Sequence, residues 1–111
     1  ARCTAEVLEM VLASVSFRVQ PHKRAEVLSA IDSLVQRMRD AAGCARSRIL
    51  MDTEDANAFL IGSEWADAVS ADTFFSSREF QIFRGIRILM RDEPLITVDE
   101  IRSRTTRFLR D

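Results

Sequence analysis

The first regular pattern in the chain is an alternation of apolar residues with other residues. Every second position from 11 to 19 is apolar, and these residues are Val11, Ala13, Val15, Phe17 and Val19. Successive side chains of a β-strand point to opposite faces, so this period of two predicts a strand with one fully apolar face. The other face begins with Met10 and Leu12 and continues with polar residues, which indicates partial burial.

The period changes to that of a helix after Pro21. Apolar residues up to position 42 recur three or four places apart, and they are Val27, Leu28, Ile31, Leu34, Val35, Met38 and Ala42. On a helix they form one stripe, with polar residues such as Glu26 and Arg37 on the opposite side. The first turn of a helix tolerates Pro21, and Gly43 stands where a helix favours a left-handed residue after its end. We therefore expect a surface helix, ending at Gly43, that docks on the sheet.

The next two segments predict a β-hairpin. Cys44–Asp52 and Ala58–Trp65 are both strand-like, and residues 52–57 between them are dense in turn formers. Alternation along the third strand puts Ile61 and Trp65 on one face and Leu60 on the other.

Two short helices and a fourth strand complete the pattern. Asp67 is placed to cap a helix that ends near Phe75, and a serine at 76 or 77 can cap a second helix that runs to about Met90. The Asp-Glu-Pro sequence at 92–94 ends that helix, and the alternation over 95–101 predicts the last strand. The arginine-rich tail that follows can extend this strand.

The element order is therefore β-α-β-β-α-β, which predicts an α+β fold of the ferredoxin-like class. Right-handed crossovers put the helices on one face of a four-stranded antiparallel sheet and leave the other face without cover from its own chain. Met10, Leu12 and Leu60 belong to that open face and are too apolar to remain in water. We expect two such faces to pair across a two-fold axis, which makes the protein a homodimer.

Length and charge narrow the classes of function. A chain of 111 residues, 47% of them hydrophobic, is the size of one domain, for which we set bounds of 10–104, with a leader at 1–9 and a tail at 105–111. The net charge of −1 and the lack of exposed aromatics on the central strands disfavour nucleic acid as a partner.

No apolar run is long enough to span a membrane, and Glu6 and Glu9 stand where a signal peptide is apolar, so we expect a cytoplasmic location. Cys3 and Cys44 have neither disulfide-framework nor zinc-site spacing.

Several fragments together resemble the antibiotic biosynthesis monooxygenase family, a set of small proteins with a dimeric α/β-barrel fold. In chain order they are residues 17–24, Ala42-Gly43-Cys44, residues 52–57, Glu64-Trp65 and Phe80. The resemblance covers residues 12 to 101. It implies the fold and the dimer. For the activity it implies one of three classes: cofactor-free oxygenases of aromatic polyketides or quinols, haem-degrading enzymes, and isomerases.

The family's functional positions match this chain only in part. Oxygenases of the family typically carry a Trp at the end of the third strand, and Trp65 matches it. An Asn four residues earlier, which can hydrogen-bond a substrate oxygen, is replaced here by Ile61. The His that ligates iron in the haem-degrading branch falls on Phe74 or Phe75, so the resemblance disfavours haem, since the only His, His22, begins the first helix.

Each candidate site residue has a structural alternative. Trp65 can stack on a substrate or anchor the core, and Ser63 can donate to a bound carbonyl or bond the backbone. An apolar cavity or plain packing explains Phe74, Phe75, Phe80 and Phe83. Arg84 and Arg87 can hold an anionic substrate oxygen or lie in solvent, and Asp72 is a general base only if it is desolvated.

These features favour a cofactor-independent monooxygenase that acts on a quinol or polycyclic phenol, with no metal or flavin. The alternative is a homodimer of the same fold that binds a small aromatic ligand, or has a structural role, without catalysis. An isomerase or lyase would need a polar cluster that the sequence does not offer.

Overall fold

The computed structural model describes the backbone of residues 3–109 and the side chains of residues 10–109. Two 3₁₀ turns, Pro21–Lys23 and Arg87–Leu89, accompany the helices and strands. The main elements are β1 (Cys3–Arg18), α1 (Arg24–Arg39), β2 (Cys44–Met51), β3 (Ala58–Trp65), α2 (Ala68–Phe75), α3 (Arg78–Ile86) and β4 (Leu95–Arg107).

The strands form one antiparallel sheet in the order β2-β3-β1-β4, with the helices on one face. The ferredoxin-like α+β fold predicted from the period of each segment is thereby confirmed. No helix among the described residues is long and apolar enough to cross a membrane.

The core lies between the helices and the face of the sheet that they cover, which we call the covered face. All five alternating residues of β1, from Val11 to Val19, are buried, and so is the stripe on α1 that includes Ile31 and Leu34. Full burial of one such side chain contributes about 1.5–3 kcal/mol. The apolar residues whose spacing predicted the strand and the helix are therefore the ones that hold these two elements together.

Local signals start α2 and α3 as expected, and a glycine lies between α1 and β2. Asp67 accepts a hydrogen bond from the backbone N–H of Ser70 at 2.8 Å, which caps α2, and Ser77 accepts one from Phe80 at 3.4 Å, which caps α3. Gly43 has a φ of +84°, a left-handed conformation that a residue with a Cβ adopts only with strain. It follows α1 and directs the chain into β2.

The predicted bounds differ from the structure at three places. Strand β1 begins at Cys3 rather than at residue 10 or 11, because residues 3–7 of the predicted leader pair with residues 103–107 of β4. Strand β4 runs to Arg107, so the tail extends this strand as expected. Helix α1 ends at Arg39 rather than next to Gly43, because the N–H groups of Asp40 and Ala41 bond carbonyls only three residues back. The last helix ends at Ile86 rather than near Met90, because Met90 bridges to Val19 and the Arg91 N–H bonds Arg18 instead of a helical carbonyl. The domain bounds themselves stay a prediction.

Candidate functional site

An unbroken series of aromatic rings crosses the covered face. We call it the aromatic row. Its members are Trp65, Phe74, Phe75, Phe80, Phe83, Phe17 and Phe59. Successive ring centroids lie 4.9 to 6.0 Å apart, in stacked, tilted and edge-to-face contacts, which are the arrangements that aromatic pairs favour. The row runs from Trp65 at one end to Phe59 beside the hairpin turn.

Four elements position the aromatic row, and two of its members, Phe17 and Phe59, lie on β1 and β3. Trp65 is the last residue of β3, and Phe74 and Phe75 end α2, whose cap at Asp67 follows Trp65 by only two residues. Phe80 and Phe83 are three positions apart on α3, so they lie on one face of that helix. The structure therefore brings Trp65 together with these four phenylalanines, and their role in binding a ligand stays a prediction.

The polar atoms beside Trp65 are engaged within the chain. The indole Nε1–H donates to the Oγ of Ser63 at 2.9 Å, and the Ser63 hydroxyl donates to the carbonyl of Ala13 at 3.0 Å. Ser63, Trp65 and Ile61 are all buried. Trp65 can thus offer an aromatic partner only its ring, since its single donor is already in use.

The charged candidates lie apart from this group. Asp72, Arg84 and Arg87 are all exposed, and the guanidinium of Arg87 lies 3.6 Å from the carboxylate of Glu93. Exposure leaves Asp72 without the desolvation that its suggested role as a general base requires. His22, at the start of the 3₁₀ turn before α1, is exposed as well.

Sequence reasoning missed two neighbours of the aromatic row. Cys44 pairs with Trp65 across β2 and β3, and burial raises the pKa of its thiol, which keeps it protonated and unreactive at neutral pH. Glu100 pairs with Val11, which itself pairs with Trp65. The register between strands, which a single sequence does not display, is the signal that reveals both.

The covered face is open on the side of β4. Ile96 and Val98 pair with the buried Val15 and Ala13 and so belong to the same face, yet they are 43% and 46% exposed. Together with Glu100 they form what we call the β4 shelf, an apolar strip with a carboxylate at one end. The helices leave this strip exposed.

The opposite face of the sheet, the open face, is uncovered and mixed in character. It has a groove of about 410 Å³ at the hairpin end, where Leu50 and Leu60 contribute, and a smaller one of about 170 Å³ at Gly62. Met10, Leu12 and Leu60 are half-buried there. Charged residues on β2, β3 and β4 share this face with them.

Comparison with known proteins identifies the class of the chain. The sequence model of the antibiotic biosynthesis monooxygenase family matches residues 10–85, about two thirds of the chain, so this protein belongs to that family. The resemblance drawn from its motifs is confirmed. No curated protein matches it in sequence.

Solved structures share the fold at low sequence identity. A conserved protein from Methanosarcina mazei is 22% identical with a TM-score of 0.78, over 83% of this chain and 92% of that one. A conserved protein of unknown function from Bacteroides thetaiotaomicron is 20% identical with a TM-score of 0.76, over 84% and 98%. A structure named antibiotic biosynthesis monooxygenase is 18% identical with a TM-score of 0.76, over 82% and 97%.

Proposed function

We propose that this protein is a homodimeric, cofactor-independent monooxygenase whose substrate is a planar electron-rich aromatic, a quinol or a polycyclic phenol. One observation carries the proposal: the β4 shelf continues the covered face beside the aromatic row and leaves an apolar strip accessible. A flat ring system that lay on Ile96 and Val98 would extend the row. Membership of the monooxygenase family supports the same reaction class.

The reaction needs little beyond positioning and control of charge. Once deprotonated, a phenol of the anthrone type reacts with O₂ at a ring CH₂ group; one oxygen atom enters as the new carbonyl and the other leaves as water. The substrate supplies the electrons. The protein would exclude water from the anion and hold the ring in place.

The β4 shelf also supplies a proton acceptor for this scheme. Glu100 lies one row beyond Val98, on the same face, so its carboxylate borders the space in which the substrate would lie. Glu100 is exposed in the single chain, as Asp72 is, but it lies on the covered face beside the apolar strip, where a bound ring system would desolvate it; we therefore propose Glu100 as the general base. Such a base contributes about 10²–10⁴-fold to rate.

Oxygen uptake tests the proposal. Purified protein is incubated with a panel of hydroquinones and anthrone-like phenols in air, with anaerobic samples as the blank. We expect uptake that falls about 10²-fold in Glu100→Gln and also falls in Trp65→Phe. Val69→Ala, an exposed change on α2, is the matched control and should retain full activity. Uptake no greater than that of Trp65→Phe, across the whole panel, would contradict the proposal.

One observation favours a second candidate, a homodimer that binds an aromatic ligand or has a structural role without catalysis. The hydrogen bonds from Trp65 to Ser63 and on to Ala13 use the donors that would orient a substrate oxygen. This candidate predicts that quinols quench the fluorescence of Trp65 without oxygen uptake, or do not bind at all.

The homodimer itself is expected to form through the open face. Met10, Leu12 and Leu60 are half-buried in one chain, and a second open face would complete their burial. Sedimentation velocity on the wild-type chain measures this directly. A single species of about 12.6 kDa at high protein concentration would contradict it.

A further inference from the structure

The residues of the open face form rows that cross the sheet. Strand register gives one row as Arg46, Glu64, Leu12 and Asp99, from β2 to β4. Another row, nearer the hairpin turn, is Leu50, Leu60, Ser16 and Leu95. The first row is charged at both edges of the sheet and the second is apolar at both edges.

The charges of the two edges have opposite sign. Arg46 and Arg48 lie on β2, and Asp99 lies on β4 in the same row as Arg46. These two edge strands are three strand spacings apart, roughly 14 Å, which is too far for an ion pair within one chain. Each open face is therefore positive along one edge and negative at the other.

The central charge of the row is already neutralised. Glu64 lies next to Arg46 in the register, but its carboxylate is 3.3 Å from the guanidinium of Arg104. Among the described residues, Arg46, Arg48 and Asp99 take part in no ion pair. Three exposed charges thus border a face that we expect a second copy to cover, and burial of an unpaired charge is costly.

A two-fold axis that brings two open faces together lies in the plane between the sheets, and its two limiting directions are across the strands and along them. An axis across the strands lays β2 on the partner's β2, which sets the positive edge of one sheet against the positive edge of the other. An axis along the strands lays β2 on the partner's β4 at the same height. Arg46 then faces the partner's Asp99, and Leu50 faces the partner's Leu95.

We infer that the dimer axis runs parallel to the strands, so that Arg46 of each protomer pairs with the partner's Asp99 at both edges of the interface. The inference rests on the homodimer proposed above and adds its geometry. Charge complementarity selects this arrangement, because the other one places like charges together. The apolar rows then match as well, edge against edge.

Charge reversal tests the pairing. The dimer dissociation constant of the wild-type chain is measured by sedimentation, beside Arg46→Glu, Asp99→Arg and the double variant. We expect each single change to weaken the dimer about tenfold or more and the double variant to recover most of the loss. Arg46→Glu also sets two carboxylates side by side within one chain, but Asp99→Arg is too distant to relieve that contact, so recovery reports the pair between chains.

Two results would overturn the inference in distinguishable ways. A wild-type chain that stays monomeric overturns the homodimer, and the axis with it. A wild-type dimer that tolerates both reversals, or is weakened by both without recovery in the double variant, overturns the axis alone.

Cross-linking gives a second measurement that does not depend on the charges. In a Cys3→Ser, Cys44→Ser background, Leu50→Cys combined with Leu95→Cys should give a covalent dimer with a short bismaleimide, since packed sheets lie about 10 Å apart. Leu50→Cys alone should not. An efficient dimer from Leu50→Cys alone would mean that β2 faces the partner's β2, which contradicts the inference.

Discussion

The two faces of one sheet are built from alternate residues of the same four strands, yet they differ in composition and in what covers them. On the covered face, apolar side chains fill the interior, and no buried nitrogen or oxygen atom of the described side chains lacks a hydrogen-bond partner. On the open face, leucines share the surface with Arg46, Arg48 and Asp99. The first pattern makes one chain fold, whereas the second would be completed, in the proposed homodimer, by the opposite charges of another chain.

The covered face is itself divided. Over β3 and β1 the helices close it completely, with Trp65 fully buried, but over β4 Ile96 and Val98 remain accessible. The closed part can contribute to stability, and the open part is where a ligand can lie. Family membership alone does not separate these two regions, because it describes the fold and not the filling of its interior.

The largest effect should come from a buried ring. Phe80→Ala removes a fully buried side chain from the middle of the aromatic row and should cost about 3–5 kcal/mol of unfolding free energy. Leu60→Ala, on the open face, should cost about 1 kcal/mol at low protein concentration and more at high concentration. Urea unfolding at two protein concentrations measures the loss of unfolding free energy in each variant. Equal losses that do not depend on protein concentration would contradict the expected difference between the two faces.

A smaller effect should follow from Ser63→Ala. This change leaves the Trp65 indole N–H and the Ala13 carbonyl without their partner in a buried position, which costs about 1–3 kcal/mol. Ser16→Ala on the open face is the matched control and should stay within about 0.5 kcal/mol. Trp65 is the only Trp, so its emission reports the site directly. An unchanged spectrum and stability would show that the hydrogen bond is not important.

The smallest effect concerns pH and helix α2, which carries Phe74 and Phe75 of the aromatic row. Hydrogen bonds from the Ser70 backbone and side chain lower the pKa of Asp67 below its usual 3.8. A lowered folded-state pKa means that ionised Asp67 stabilises the fold above about pH 4, and that this contribution is lost as the pH falls through the folded-state pKa. Asp67→Ala should therefore lower the melting temperature at pH 7, and its difference from wild type should shrink by pH 3.

Local patterns predicted the elements closely. The period of two located β3 at its observed bounds of Ala58–Trp65, and the caps at Asp67 and Ser77 placed the starts of α2 and α3. Two of the three misplaced ends, at Cys3 and Ile86, depend on pairing with a distant segment, whereas the third, the end of α1 at Arg39, depends on a local turn before Gly43. A strand edge that gains a partner far along the chain is extended by it, and no local propensity records that partner.

The candidate site was predictable in its apolar half. Trp65 and the phenylalanines share faces that the periods of β3 and α3 define, so their grouping followed from the sequence. Asp72, Arg84 and Arg87 were candidates by residue type alone, and they lie at the surface because burial of a charge without a partner is unfavourable. Glu100 and Cys44 were missed, since their nearness to Trp65 arises from strand register.

The sequence by itself determined which residues face inward, because the side-chain period of each element is a property of the backbone. It determined the order of elements and, through that order, the sheet and its single helical layer. Only the tertiary structure decided which rows cross the sheet, that Arg46 and Asp99 stand at opposite edges of one row, and that the helices leave β4 uncovered. Those facts depend on contacts between segments far apart in the chain. The register between the strands is set only when their apolar faces pack together in the folded protein.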